Sequence, residues 1–552
     1  MSRQEKAVIA ADDGGDSREG TTMNNDDTQA ARQFHDATKY VLVGGGEDDE
    51  DILMGTPPHL GPAIGAQDPA IEPLPYKIYS TLEPLPLPDK SPPFTMPALD
   101  AVAATGELPT AQAIPGRDTL AALCLLSNGI LKRGSHGTGR VIEYRAAGGT
   151  GARYHLELYL VCGDLPGLDA GVYHYGAHDH ALRPLRRGDY RSLLTEASGA
   201  APAIVQAPAI VVATSTFWRN AWRYQARAYR HVYWDLGTTL SNLLAVAAAA
   251  DLPAQIVMGF AEPEVNRLLA VDGERESAVA LVALGRQSAA AASPPPVVPL
   301  DLPTRPISAR EIVFPEITAM HTASSLASGA EAAAWRSQPF RRTPLSPGAN
   351  LIPLHPLGPG ALPDTPIDAV IRRRRSTRHY AADHPLPFAA FSTLLDRTSR
   401  GIAMDCLDPA AEPLNDQYLI VNNVEQLDAG TYVLHPRSGG IEPLAHGNMQ
   451  AAAARLACAQ HYAAEAHVNV YYLADLEPIL ERYGNRGYRV AQLEAALHAG
   501  KVHLAAHALG LGAVGSTAVD DEVIRFFSPH AAGKSYMFVI VFGLRRQRSA
   551  GA

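Results

Sequence analysis

Residues Arg372–Tyr380 read RRRRSTRHY, four consecutive arginines followed by a serine and a fifth arginine. Guanidinium groups present forked N–H donors that match phosphate or carboxylate oxygens, and the Ser376 hydroxyl adds another donor. Such a run has two readings: a clamp for an anion, or a solvated patch that faces acidic partners. Its place at the opening of a globular segment, just after a Pro-rich stretch, favours the clamp. A second constellation is written twice. The string Arg-Tyr-x-x-Arg-x-Tyr-Arg occurs at Arg223–Arg230 and again at Arg482–Arg489.

The two copies stand 482 − 223 = 259 residues apart, and the same offset relates other pieces. Leu168-Asp169-Ala170-Gly171 returns as Leu427-Asp428-Ala429-Gly430, and the Ala-rich run Ala245–Ala254 returns as Leu504–Ala513. A period this long means a tandem copy of one globular domain, since solenoid units are much shorter. The chain has 552 residues, 46% of them apolar, and a net charge of −10. That charge argues against nucleic acid as the main partner. The cysteines Cys124, Cys162, Cys406 and Cys458 are scattered without a C-x-x-C pair, as expected of reduced thiols in a cytoplasm. The first residues lack an apolar h-region, and Asp251 and Pro253 interrupt the longest apolar stretch, so neither a signal peptide nor a membrane span is expected.

The expected organisation is an acidic disordered tail at 1–33 and a Pro-rich wrapping arm at 34–98, in which Tyr76, Ile78, Tyr79 and Leu82 invite burial. A first domain at 99–287, a Pro-rich connector at 288–366 and a second domain at 367–547 follow. Each domain reads as a helix, strands with a hairpin turn, one long helix (Arg227–Ala250, Arg486–Leu509) and a closing apolar strand (Ser277–Leu284, Ser535–Phe542). An alternating strand is expected at Arg153–Val161. The fold class is α+β, a mainly antiparallel sheet covered by helices, twice over. His498, His503 and His507 read as helix-surface or interface residues and His174, His178 and His180 as loop residues; no metal site is expected.

Arg374-Arg375-Ser376-Thr377-Arg378-His379-Tyr380 resembles the RRSxRxF signature of the FMN-dependent nitroreductase fold. Phe34-His35-Asp36-Ala37-Thr38-Lys39-Tyr40 and Lys77-Ile78-Tyr79-Ser80 resemble the entry segments of SagB/ThcOx-type dehydrogenases, which oxidise azoline rings in peptides. The resemblance implies two nitroreductase-like domains that form an intramolecular pseudo-dimer, with FMN between the halves. It implies a phosphate clamp of Arg374, Arg375, Ser376 and Arg378, with Arg545 after the last strand and Gly515 and Ser516 at the flavin edge. The other half would close the site through Gly149, Thr150 and Gly151. With the first helices aligned, the first domain's own clamp falls on Val102–Leu108, which has no arginine. The second domain's loop, Leu407–Glu412, carries carboxylates that would repel an anion. One composite site is therefore expected, although Ile256–Phe260 looks more like the family's flavin-edge segment than Val514–Thr517 does.

The family's Lys-Tyr pair, thought to take a proton from the substrate, aligns with Arg223–Tyr224 and Arg482–Tyr483, which become the candidate catalytic residues. Arginine stays protonated and cannot be the resting base. Either tyrosine takes the proton with a pKa lowered by its neighbouring arginine, or the substrate differs. The later residues, Arg227, Tyr229 and Arg230 with Arg486, Tyr488 and Arg489, read as ties to the domain interface. The implied activity is dehydrogenation of a heterocycle or C–N bond in a peptide or carrier-bound natural-product intermediate, with O2 as electron acceptor. Biosynthetic-complex proteins are possible partners. A flavin enzyme of a small free metabolite and a flavin-free scaffold are the alternatives.

Overall fold

A computed structural model describes residues 24–43, 53–55, 67–104, 112–135, 141–289, 291–337, 340–408 and 411–546. Two seven-stranded antiparallel sheets dominate it. The first comprises β1 (Leu85–Pro86), β2 (Leu156–Cys162), β3 (Gly171–Gly176), β4 (Ala181–Arg187), β5 (Ala209–Thr216), β6 (Ala254–Val257) and β7 (Glu276–Leu284), in the order β6-β7-β5-β2-β3-β4-β1. The second comprises β8 (Ile352–Pro353), β9 (Asn415–Val421), β10 (Gly430–His435), β11 (Gly440–His446), β12 (Val468–Ala474), β13 (Gly512–Ser516) and β14 (Ser535–Gly543). Its order, β13-β14-β12-β9-β10-β11-β8, repeats the first strand for strand. The expected α+β tandem is the observed architecture. The strand expected from Arg153 begins at Leu156, and every residue of β2 is buried, so it is covered on both faces.

The long helices, α4 (Ala228–Ala249) and α9 (Arg486–Ala508), pack against each other at the centre, with α2 (Ala98–Ala103), α3 (Arg117–Asn128), α7 (Ile367–Arg373) and α8 (Phe388–Thr398) around them. The connector adds α5 (Pro315–Ala323) and α6 (Gly329–Arg336), and the arm begins with α1 (Gln29–Ala37). The central crossing is built on small residues placed reciprocally. A Cβ on Gly500 would lie 2.3 Å from Ser241 Oγ, and one on Gly237 would lie 2.5 Å from the Ala496 Cβ. Those positions are exchanged by the 259-residue offset, so the helices cross on the pseudo-twofold axis.

The twice-written string locks this crossing. Arg227 and Arg230 reach the carboxylate of Asp520 in the other half, and Arg486 and Arg489 reach Glu262. Arg227 Nη1–Asp520 Oδ2 is 3.0 Å and Arg486 Nη1–Glu262 Oε1 is 2.6 Å, both fully buried. The expected interface role of these later arginines is what the geometry displays. Phe34 of α1 sits over the same junction, its ring edge-on to both Tyr229 and Tyr488 at 5.5 and 6.1 Å.

The expected tail ends earlier than residue 33. Asn25–Asp27 form a 3-10 turn and α1 follows, because Asn25 is buried and its side chain bonds Tyr483 O and the Arg486 N–H. Residues before Asn24 lie outside the described residues. The surface that the arm wraps belongs to this chain. Lys77 N–H donates to Glu157 on β2, and Lys77 Nζ pairs with Glu276 on β7. His174, read as a loop residue, is buried in β3 and bonded to Glu157. The described part of the chain has no helix long and apolar enough to cross a membrane.

Candidate functional site

α7 ends at Arg373, and Arg374 turns the chain into an extended segment that pairs with β13 through the Ser376–Ala513 bridge. Tyr380 then pairs with Arg545, which brings the end of the chain beside the clamp. Arg375, Ser376, Arg378, Arg545 and Gly515 are exposed, while Ser516 is half-buried with its hydroxyl 2.8 Å from Tyr462 OH.

Arg374 alone turns inward and crosses to the first half. Its Nε donates to Ala146 O at 3.0 Å, and its Nη1 lies 3.4 Å from His503 Nε2 and next to Gly148. These neighbours are neutral. Burial pushes the guanidinium down to about 10, and only Tyr154 opposes that shift. A half-buried cation whose bonded neighbours are uncharged is a site that gains from an anion.

Two histidines that sequence reading set aside support the clamp. His507 Nε2 accepts from the Arg375 N–H at 3.2 Å, and His503 Nε2 lies 3.2 Å from Arg375 O. Burial first, and then the Arg374 charge, hold His503 well below its ordinary value; burial holds His507 at about 4. Both are therefore neutral near pH 7. A histidine pair four apart on one helix suggested metal chemistry or a plain surface. Its link to a backbone 128 residues away in sequence carries no local signal.

Gly148 of the loop Gly148–Gly151 lies beside Arg374, but the loop's donors are not all free. Thr150 N–H and Thr150 Oγ1 both bond Asp235 of α4, the hydroxyl at 2.6 Å, and His155 Nε2 lies 3.0 Å from the same carboxylate. The Thr150 N–H and hydroxyl are thus engaged by Asp235, which supports the loop. The offset pairs Asp235 with Glu494, whose carboxylate takes the N–H groups of Leu414 and Asn415 ahead of β9. One helix carboxylate anchors this loop in both halves, a feature the repeat register could have revealed. The slot between Gly148, Gly149, Tyr154 and Asp235 measures about 10 Å3, room for one water at most. A larger ligand meets the clamp from its exposed side.

The two Arg-Tyr pairs diverge. Tyr224 lies against the loop: a Cβ on Gly151, whose φ is +59°, would sit 2.5 Å from its hydroxyl. Burial raises the Tyr224 pKa, and the opposing charge of Arg223 does not overcome it. The expected lowering by the neighbouring arginine is thereby corrected. Tyr483 is buried far from the clamp, donating to Cys406 O and accepting from the Phe340 N–H at 2.8 Å. Arg482 donates to Trp335 O. That second pair is bonded to the backbone of the connector at Trp335 and Phe340.

At the pseudo-symmetric position, Thr105–Leu108 of the first domain's segment aligned with the clamp and Pro409–Ala410 of the second domain's loop lie outside the described residues. Asp408 and Glu412, expected to repel an anion, are paired with Arg341 and Arg437 at 2.9 Å each. Ile256–Phe260 is buried, its backbone bonded to Ala403 O and to the Asp405 carboxylate. Gly515, its counterpart by the offset, is exposed.

The sheet order, the interlocked long helices and the inter-half clamp define a fused pseudo-dimer of two like domains. The Nitroreductase family model matches residues 147–286 and 371–543, more than half of the chain. The chain belongs to the nitroreductase family of oxidoreductases. It is similar to the trifolitoxin-processing protein TfxB of Rhizobium leguminosarum, 32% identical over 141 residues, which span 25% of this chain and 38% of TfxB. It is also similar to the candidate nitroreductase MJ1384 of Methanocaldococcus jannaschii, 24% identical over 144 residues, 26% of this chain and 71% of the relative. A crystal structure of a candidate nitroreductase from Anabaena variabilis superposes with TM-score 0.71 at 24% identity. It covers 94% of this chain and 99% of its own, so the whole two-domain fold is shared.

Proposed function

We propose that this protein is an FMN-dependent oxidoreductase with one flavin site between its halves. It dehydrogenates a heterocycle, azoline to azole, or a C–N bond in a peptide or carrier-bound natural-product intermediate, and passes electrons to O2. The observation that carries the flavin reading is Arg374, a half-buried guanidinium with neutral bonded neighbours that spans the two halves. The surrounding residues fit an anionic cofactor. Arg375, Ser376, Arg378 and Arg545 would hold the phosphate from the exposed side, with Gly515 and Ser516 along the ring edge. Gly149 and Gly151 would let the first half's backbone approach. Bound FMN supplies hydride acceptance. The substrate class draws support from TfxB, a protein that processes trifolitoxin.

Tyr224 favours a second reading. Held protonated at neutral pH, it is suited to donate a proton rather than to remove one from a ring carbon. A reductase or oxidase of a small free metabolite would use that donor directly. An absorbance spectrum of the purified protein tests the flavin reading, with Arg374→Ala and Gly151→Asp each expected to empty the site. A protein that stays colourless after FMN is added points to a scaffold and refutes both enzymatic readings. Loss of flavin in only one variant refutes the composite site.

A further inference from the structure

A cavity of about 770 Å3 lies at the pseudo-symmetric counterpart of the clamp, a volume typical of small-molecule sites. The offset places Leu244, Ala248 and Ala254 of its wall where His503, His507 and Ala513 surround Arg374. The described wall there has no arginine clamp. Val102, Leu244, Ala245, Leu252, Ile402 and Leu497 give it an aliphatic side, Asp100, Gln112, Ser241 and Asp251 add polar groups, and none of the described lining residues is aromatic. A flat conjugated ring finds nothing to stack on, whereas an alkyl chain finds a continuous apolar surface.

Among the described residues three cations line this space, Arg397, Arg400 and Lys501, and the two arginines are paired with carboxylates. Lys501 of α9 lines the cavity with 7% of its surface exposed, and its Nζ donates to Arg400 O at 2.9 Å and Gly401 O at 3.4 Å. An ammonium has three donors, so one remains. The arginines of the wall are paired with carboxylates, and Asp251 lines the same cavity. Arg397 pairs with Asp100, Arg400 pairs with Asp396, and Asp251 is exposed on the α4 side. His498, one turn earlier on α9, is held by burial at about 4 and is neutral at pH 7. Among the described residues no carboxylate pairs with Lys501. Burial, and then the charge of Arg400, pull its pKa down to about 7. A buried amine in this position either gives up its proton or gains from an anion.

We propose that this cavity binds an aliphatic carboxylic acid, its chain along the α2–α4 wall and its carboxylate on the Lys501 ammonium. The inference stands independently of the flavin reading, because no residue of the Arg374 clamp takes part. Octanoate is the probe, titrated calorimetrically at pH 8 into the protein as purified, in two buffers of different ionisation enthalpy. Saturable binding is expected, with uptake of close to one proton per octanoate as Lys501 becomes charged. Lys501→Met should weaken binding at least tenfold and abolish the uptake. Lys501→Arg, charged throughout, should bind octanoate without uptake. 1-Octanol should bind more weakly and with no proton change, and saturating FMN should leave octanoate binding unchanged. Absence of saturable binding to the folded wild type, or proton uptake that persists in Lys501→Met or Lys501→Arg, would overturn the proposal. Competition by FMN would overturn it too, since the cavity would then be a second flavin site.

Discussion

Replacing Asp520 with asparagine removes the carboxylate shared by Arg227 and Arg230 at the junction of the two halves. Burial alone would raise the Asp520 carboxyl, but Arg227 and Arg230 outweigh it, helped by His35 and the Tyr40 N–H, and hold it at about 2. Relative to an ordinary aspartate at 3.8, that depression is worth about 2–3 kcal/mol, taking about 1.4 kcal/mol per pKa unit. The sign follows from the direction of the shift. A depressed carboxyl contributes its full stabilisation above its unfolded value near 4, and loses it as the pH falls from there through about 2. The substitution costs more than this, because it leaves two buried guanidinium groups without an anion, a loss of about 3–5 kcal/mol. Urea denaturation followed by far-UV circular dichroism and by tryptophan fluorescence measures the loss. The deficit of Asp520→Asn should be the same at pH 7 and pH 5 and shrink as the pH falls from about 4 through about 2. A deficit under about 1 kcal/mol at pH 7, or one that has vanished by pH 4, would refute the assignment of Asp520 as the anion of this lock.

Gly500→Leu should destabilise the protein by about 1–3 kcal/mol or more in thermal melts, because its side chain would be driven into Ser241 and the crossing helix. Tyr483→Phe should cost about 1–3 kcal/mol, leaving the Phe340 N–H unpaired, with flavin content unchanged. Tyr224→Phe should do the reverse, keeping fold and flavin while turnover falls at least tenfold. His503→Leu should weaken flavin retention, measured by fluorescence of released FMN, since the Arg375 carbonyl loses its donor.

The architecture was legible because its signals are local and occur twice. The closing strands and long helices fall within a residue or two of their expected places, and the 259-residue offset alone predicts which strands correspond. What escaped were partners supplied by tertiary folding. Asp235 on α4 looks like an ordinary helix carboxylate until Thr150 and His155 arrive at it. Glu262 and Asp520 are each more than two hundred residues from the arginines that they hold. The Tyr224 shift was misjudged because adjacency to Arg223 is visible in sequence whereas burial is not. The arm's lysine, Lys77, reads as part of a motif; its pairing with Glu276 emerges only when β7 is in place.

The count of flavin molecules per chain tests the composite site most directly. FMN released from protein reconstituted with excess cofactor should approach one per chain, and Arg374→Ala should release none. Two per chain, or one per chain that survives Arg374→Ala, would contradict a single site built from both halves.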